Sequence, residues 1–496
     1  MSLKPREILT TEEIKLGLHY VVKDSLASQT MLTLTGGVFL VAFGLKLGAS
    51  NTIIGLLAAI APLTQLIQIP SIYLVEKFRR RRAIAVFSAL SSRFFLLLIA
   101  LIPFLFSTKI ALLLLIGGLF FHTSINAILV CSWNSWMSDF IPREQLGSFH
   151  SKRLVLATGL GMVLSIASAF SIDYWKKIYP GYEVYAYSLL FFFGFLAGMV
   201  GVYFISNIPE TRMMVAEQKI KFKELMIRPF KNANYKNLIV FLGSWHFAVN
   251  LAAPFFTVYM LKRLDLSLSF IILLAVLSQI VSITFFRIWG RISDRFSNKS
   301  VLAVSGPLFI ICILAWTFST LPEKHMLTIP LLILIHIFTG IATAGVSLAA
   351  GNIGIKLAPK GQGTSYLAAI TLINSLAAGI APILGGQFVD FFANRELSLD
   401  LTWRSPSSEL VMHTLNFRQW DFLFFFAFLI GLYSIHRLIL VKEVGEVKEK
   451  IVLNELMLEM RRGMRNLSTV GGLRQMLLIP LSLIKNSKKE KVKLTS

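Results

Sequence analysis

The stretch "GRISDRFSNK", Gly290 to Lys299, sets four charged residues in a hydrophilic gap between two long apolar runs. An earlier gap holds "VEKFRRRR", Val75 to Arg82. Short charged gaps between apolar runs of about two dozen residues are the pattern of a chain that crosses a bilayer repeatedly, since about 20 apolar residues span the hydrocarbon core as a helix. Composition agrees. Hydrophobic residues make up 55% of the chain and charged residues only 15%, where a soluble domain carries about a quarter.

Apolar runs recur along the whole chain. Hydropathy and length place spans near 25–46, 52–75, 83–106, 110–136, 152–172, 185–206, 237–260, 266–289, 301–320, 327–351, 364–392 and 419–440. The runs are continuous rather than alternating, so helices are expected and a transmembrane β-barrel is not. The expected class is an all-α membrane protein of twelve transmembrane helices. The first run starts late and is long, unlike a cleaved signal peptide.

The net charge of +23 would suit nucleic acid if it formed one patch, but its distribution excludes that partner. Most Lys and Arg fall in one alternate set of gaps: Lys77 to Arg82, Arg212 to Lys236, Arg291 to Lys299, and the tail from Lys442. The positive-inside rule makes that set cytoplasmic and, with an even span count, both termini cytoplasmic. Anionic lipid headgroups are the expected partners of this charge. Cys131 and Cys312, the only cysteines, sit in apolar runs and read as small buried hydrophobes, with no disulfide framework, metal or other cofactor implied.

The two charged gaps are related. Laid over one another, Leu74 meets Ile292, Glu76 meets Asp294, Lys77 meets Arg295, Phe78 meets Phe296 and Arg81 meets Lys299. A second echo pairs "DFIPREQLGS" (Asp139 to Ser148) with "KLAPKGQGTS" (Lys356 to Ser365). Each pair occupies the same place in a six-span half, which predicts a parallel internal repeat about an axis along the membrane normal. The expected divisions are an N-terminal segment 1–24, a first half 25–207, a linker 208–236, a second half 237–440 and a tail 441–496.

These residues resemble the major facilitator superfamily, whose members have two six-helix halves and a loop motif G-x-L-x-D-R-x-G-R-K between helices two and three. Gly290, Ile292, Asp294, Arg295 and Lys299 match its second-half form. In the first half Leu74, Glu76, Lys77, Arg80 and Arg81 fit, while Ile72 and Arg79 stand where glycines belong. The run "LGASNTIIGLLAAIAP", with Trp133 to Pro142, resembles a bacterial branch of general transporters. The resemblance implies a secondary transporter of the inner membrane, acting as a monomer by alternating access. It further implies a gating role for the motif, with Asp294 facing the start of the eleventh helix, Gly361 to Thr364, where a helix N-terminus favours a carboxylate.

Polar residues at membrane depth are the site candidates. No Asp or Glu lies mid-span in these boundaries. Three histidines do, each with a polar residue one turn on: His122 with Asn126, His246 with Asn250, and His336 with Thr339. They fall on the fourth, seventh and tenth spans, which by the resemblance line the central cavity, and a histidine there suits a coupling proton or a substrate hydrogen bond. Gln29 and Trp245 are further cavity candidates. Trp136, near a span end, reads as an interfacial anchor. Arg93, mid-way along the third span, is costly unless paired; Glu76 and Asp139 are the partners in reach, and a role as anchor for an anionic substrate is the functional alternative.

No phosphate loop or catalytic cluster is present, so an enzyme is not expected. The missing Gly-Pro pair in the fifth span argues against drug antiport. Its echo "GIAPILGG" (Gly379 to Gly386) permits close packing and bending in the eleventh. In the tail, Leu453, Leu456, Met457 and Met460 share one helical face and suit either the inner leaflet or a partner. The expected cargo is a small neutral, amphipathic or anionic molecule. The alternatives are a uniporter, or a receptor or scaffold that kept the fold without transport.

Overall fold

The computed structural model describes residues 5–7, 9–142, 146–213, 228–320, 323–359, 363–406 and 408–467. Among them are twelve helical spans long and apolar enough to cross a membrane. They are Thr11–Lys46, Asn51–Phe78, Arg81–Leu105, Thr108–Phe140, Phe149–Ile178, Glu183–Asn207, Ala233–Lys262, Leu268–Arg295, Asn298–Ser319, Thr328–Leu357, Ser365–Phe391 and Trp420–Ile439. An even number of crossings brings both ends of the bundle's chain to one face, here called the terminal face; the other is the far face. The third span shows how the bundle suits lipid: Phe94 and Leu101 point outward while Arg93 is fully buried. Apolar surface is cheap against acyl chains, and the charge is kept inside.

The first span corrects an expectation. Its helix begins at Thr11, not near 25, because Thr10 and Glu13 form a capping box: the Thr10 side chain accepts from Glu13 N, and the Glu13 carboxylate accepts from Thr10 N. Asp24 is therefore an interior residue of this span, and it is buried. The span breaks at Gly36 and resumes at Gly37. Gly37 has φ +55°, a left-handed conformation that glycine adopts without steric cost.

One element follows no expectation, and the expected tail helix docks on the protein. Strands β1 (Glu396–Ser405) and β2 (Ser408–Arg418) form an antiparallel hairpin on the far face, between the last two spans. A tail helix, Glu449–Leu467, packs on the eighth and ninth spans. Its Val452 and Leu456 are buried, while Leu453, Met457 and Met460 stay exposed. The expected apolar face is thus divided, with Leu456 turned toward the protein. The segment "RQMLLIPLSLI" (474–484) lies outside the described residues.

Candidate functional site

Three neighbouring cavities share lining residues, and the middle one lies between the first six and last six spans. The middle one, about 370 Å³, is lined by Gln29, Gly36 and Gly37 of the first span, Gly161 of the fifth, and Ala275 and Gln279 of the eighth. Gln29 and Leu32 also border a pocket of about 250 Å³ within the first half. Val38 and Ala275 also border one of about 260 Å³ within the second. The break at Gly36–Gly37 thus lines the middle cavity.

The expected cavity residues separate into two groups. Gln29, Asn126 and Arg93 line the first-half pocket, and His336 and Thr339 line the second-half one. His336 Nδ1 bonds the Leu332 carbonyl of its own helix at 2.8 Å, and its ring meets Trp316 edge-on. The others line none of these pockets. His122 is buried with Nδ1 2.7 Å from the Ser92 carbonyl oxygen. Trp245 packs on Phe241 and Phe309 in the core. Asn250 donates to the His246 carbonyl at 2.7 Å, one turn back on the same helix. His122, Trp245 and Asn250 thus have backbone or packing partners, and His246 is half-buried with no side-chain bond to a described residue.

Arg93 has partners other than those expected. Its Nε donates to the Gly198 carbonyl at 3.0 Å and its Nη1 to Ser92 Oγ at 3.4 Å. Neither Glu76 nor Asp139 reaches it. The carboxylate that faces it is Asp24, which also feels Arg153 and accepts from Ser28 at 3.3 Å. Bare glycines let the sixth span approach: a Cβ on Gly198 would lie 2.9 Å from Arg93 Cγ, and one on Gly201 3.1 Å from Asp24 Oδ1.

The far face is closed by two matching contacts between the halves. Asp390, ending the eleventh span, accepts from the backbone N of Asn51 and Thr52 at 3.3 and 2.8 Å and from their side chains at 2.8 and 2.7 Å. Asp173, late in the fifth span, accepts from the backbone N of Leu268 and Ser269 at 3.3 and 2.8 Å, and from Ser269 Oγ. Each carboxylate satisfies the free amides at the start of another span, where the helix dipole favours negative charge. The second and eleventh spans also touch backbone to backbone. A Cβ on Gly55 would fall 2.0 Å from the Pro382 oxygen, and one on Gly386 2.3 Å from the Asn51 oxygen. The main contacts between halves involve Gly37–Lys46, Asn51–Ile67 and the fifth–eighth pair; Gln68–Phe78 packs within its own half. The contacts between the first six and last six spans are thus concentrated on the far-face side of these cavities.

On the terminal face the motif residues hold each half together. Arg81, buried, pairs with Asp139 at 2.5 Å and Glu210 at 3.5 Å. Glu210 accepts from the backbone N of Arg81 and Arg82 at 2.7 and 3.1 Å, capping the third span. Burial pushes the Glu210 carboxyl up, opposed by those amides and the Arg81 charge. Glu443 does the same for the ninth span, accepting from Lys299 N at 2.7 Å and pairing with Lys356 at 3.1 Å. Trp136 is fully buried, its Nε1 donating to the Pro209 carbonyl; it is no interfacial anchor. Glu76, Lys77 and Arg80 are exposed, and Lys77 lies over the Phe78 ring. The remaining basic motif residues meet the tail: Arg291 pairs with Glu459, Arg295 with Glu455 and Lys299 with Glu446. Gly290 lies 3.7 Å, through an added Cβ, from Leu348. The expected contact of Asp294 with the eleventh helix is absent among the described residues. Asp294 is exposed and makes no hydrogen bond or ion pair to any of them. Gly361 and Gln362 lie outside that set, and the helix is described from Gly363.

The sequence profile of the Major Facilitator Superfamily matches residues 25–382 and 239–482. This chain belongs to the major facilitator superfamily. Several solved transporter structures share its fold at low identity. The nucleoside transporter NupG has a TM-score of 0.63 at 12% identity, covering 87% of this chain and 99% of that one. A bacterial homologue of the iron transporter ferroportin, in an inward-facing state, has 0.60 at 11%, covering 87% and 99%. A POT family transporter in complex with a thioalcohol-conjugated peptide has 0.58 at 11%, covering 86% and 94%. Such identities bear on the fold alone. No curated protein matches the sequence at a significant level. Among the described residues no group of His, Cys, Asp and Glu is placed to hold a metal ion. This superfamily member is a multi-pass membrane protein.

Proposed function

We propose that the chain is a secondary transporter of the inner membrane that moves a small molecule by alternating access, held here in an inward-facing state. The observation that carries this is the cavity that Gly36 and Gly37 line between the first six and last six spans, with the contacts of Asp390 and Asp173 gathered on its far-face side. The positive-inside bias makes the terminal face cytoplasmic. The matching carboxylate caps support two six-helix halves of parallel topology, 25–207 and 237–440, rocking about the cavity. Ligand-contacting residues are Gln29, Asn126, Arg93, His336 and Thr339. Asp24 and His336 are the titratable groups on the cavity through which a proton gradient acts.

Proteoliposome counterflow with a panel of labelled metabolites tests this reading. Flux of one class, lost when Asn126 or Thr339 is replaced by a bulky residue, is expected. Acceleration by an inward-acid gradient assigns proton coupling, and indifference to it gives the uniporter. Saturable binding without flux under any gradient replaces transport with a receptor role.

A further inference from the structure

We infer that the first-half pocket binds the head of a small organic carboxylate, through Arg153 and the buried Arg93, with Asn126 and Trp133 beside it. This rests on the transporter reading of the cavity and names its cargo class.

Charge is the first ground. Two guanidinium groups, Arg93 and Arg153, border this pocket of about 250 Å³, and among the described residues Asp24 is the one carboxylate there to face both. Positive charge in a poorly hydrated cavity is expensive unless a counter-charge compensates it. A cation would worsen the excess and a neutral solute would leave it, whereas one carboxylate balances it.

Unspent hydrogen-bond donors are the second ground. Arg93 is held rigid by Gly198 and Ser92, so its guanidinium is positioned before any ligand arrives. Arg153, half-buried on the fifth span, makes no hydrogen bond or ion pair to any described residue. The Asn126 amide and the Trp133 indole N–H likewise have no hydrogen-bond partner among the described residues and border the same space. The pocket thus presents guanidinium, amide and indole donors from three spans against the single carboxylate Asp24. A carboxylate takes a guanidinium fork in bidentate geometry and accepts further N–H bonds. The Trp133 ring offers an apolar face to the body of such a molecule. The adjoining space of about 370 Å³ leaves room for it.

Purified protein is tested by thermal shift and by quenching of tryptophan fluorescence. The probes are a series of small carboxylates, each with the amide and the amine of the same skeleton. Carboxylates, and not their amides or amines, are expected to raise the melting temperature. Arg153→Gln weakens the effect about tenfold or more, and Arg153→Lys restores part of it. Because Arg93 is buried, its replacement risks the fold; Asn126→Ala is the second variant and is expected to weaken binding several-fold with an unchanged unliganded melting point. Preference for amides or amines, equal binding in Arg153→Gln, or no carboxylate binding at all overturns the inference. Counterflow separates the two proposals: flux of a neutral or cationic solute sinks the anion inference alone, while carboxylate binding without flux sinks transport alone.

Discussion

The Asp390 carboxylate and Thr52 are joined twice, Oδ2 accepting from the Thr52 backbone N at 2.8 Å and from its Oγ1 at 2.7 Å. The bond ties the end of the eleventh span to the start of the second. Asp173 and Ser269 repeat it, every participant the same number of residues removed, with the halves exchanged. Anything that opens the far face must break both.

Removing these charges therefore shifts the conformational balance. A carboxylate at a helix N-terminus is worth about 1 kcal/mol, or on the order of fivefold in a two-state ratio. Asp390→Asn and Asp173→Asn are each expected to raise the far-face-open population by that factor, and the double variant by roughly its square. Electron spin distances between labels at Tyr182 and Met326, both exposed on the far face, report the change. An unaltered distance distribution in the double variant would show that the caps do not hold the gate.

Side-chain volume between the second and eleventh spans acts on the same equilibrium. Gly55→Ala places a methyl 2.0 Å from the Pro382 oxygen, so the closed packing must open or strain, at a cost of about 1–3 kcal/mol. Gly159→Ala, with nothing within 4 Å of the added Cβ, is the control. The first is expected to lower the melting temperature of the form closed at the far face and broaden the spin distances, and the second to leave both unchanged.

Arg79 occupies a position where the family motif carries glycine, and it adopts φ +50°. The left-handed conformation costs a non-glycine residue about 1–2 kcal/mol. Its side chain recovers little, through one bond from Nε to the Glu76 carbonyl at 3.3 Å. Arg79→Gly is expected to stabilise the protein by about 1 kcal/mol, and Arg79→Val to destabilise it further. Thermal denaturation in detergent reads both signs.

What the sequence discloses divides by the range of the interaction. The spans are local apolar runs, and hydropathy finds each of them within several residues except the first. There the capping box at Thr10 and Glu13 is legible but outranked by the onset of hydropathy at 25, which puts Asp24 outside the membrane. The hairpin is legible too, since Leu397, Leu399, Leu401 and Trp403 alternate with polar residues. The contacts of Asp390 with Thr52, and of Asp24 with Arg93, join residues far apart in sequence, and no periodicity encodes them. For the histidines, residue type and spacing are informative, but which face of a helix lines the cavity depends on how it packs. Packing puts His336 at the cavity and His122 in the core.

The tail helix gives the last prediction. Three acidic residues, Glu446, Glu455 and Glu459, meet Lys299, Arg295 and Arg291 of the motif. Exposed ion pairs contribute little individually, about 0–1 kcal/mol, whereas burying a leucine contributes about 1.5–3 kcal/mol. Leu456→Asp should therefore release the tail more completely than any single charge change. Arg295→Glu should loosen it mildly, with rescue by Glu455→Arg. The bond to Lys299 holds the Glu446 carboxyl below its ordinary value of 4.5. A lowered carboxyl contributes above that ordinary value and loses its contribution as pH falls through the folded one. Docking should accordingly be steady from neutral pH down to about 5 and weaken below the lowered value. Limited proteolysis within 443–449 measures it: rapid cleavage in Leu456→Asp but not in the rescued pair would confirm that packing anchors the tail and that charge sets its register. Equal protection in all variants would show the tail held elsewhere.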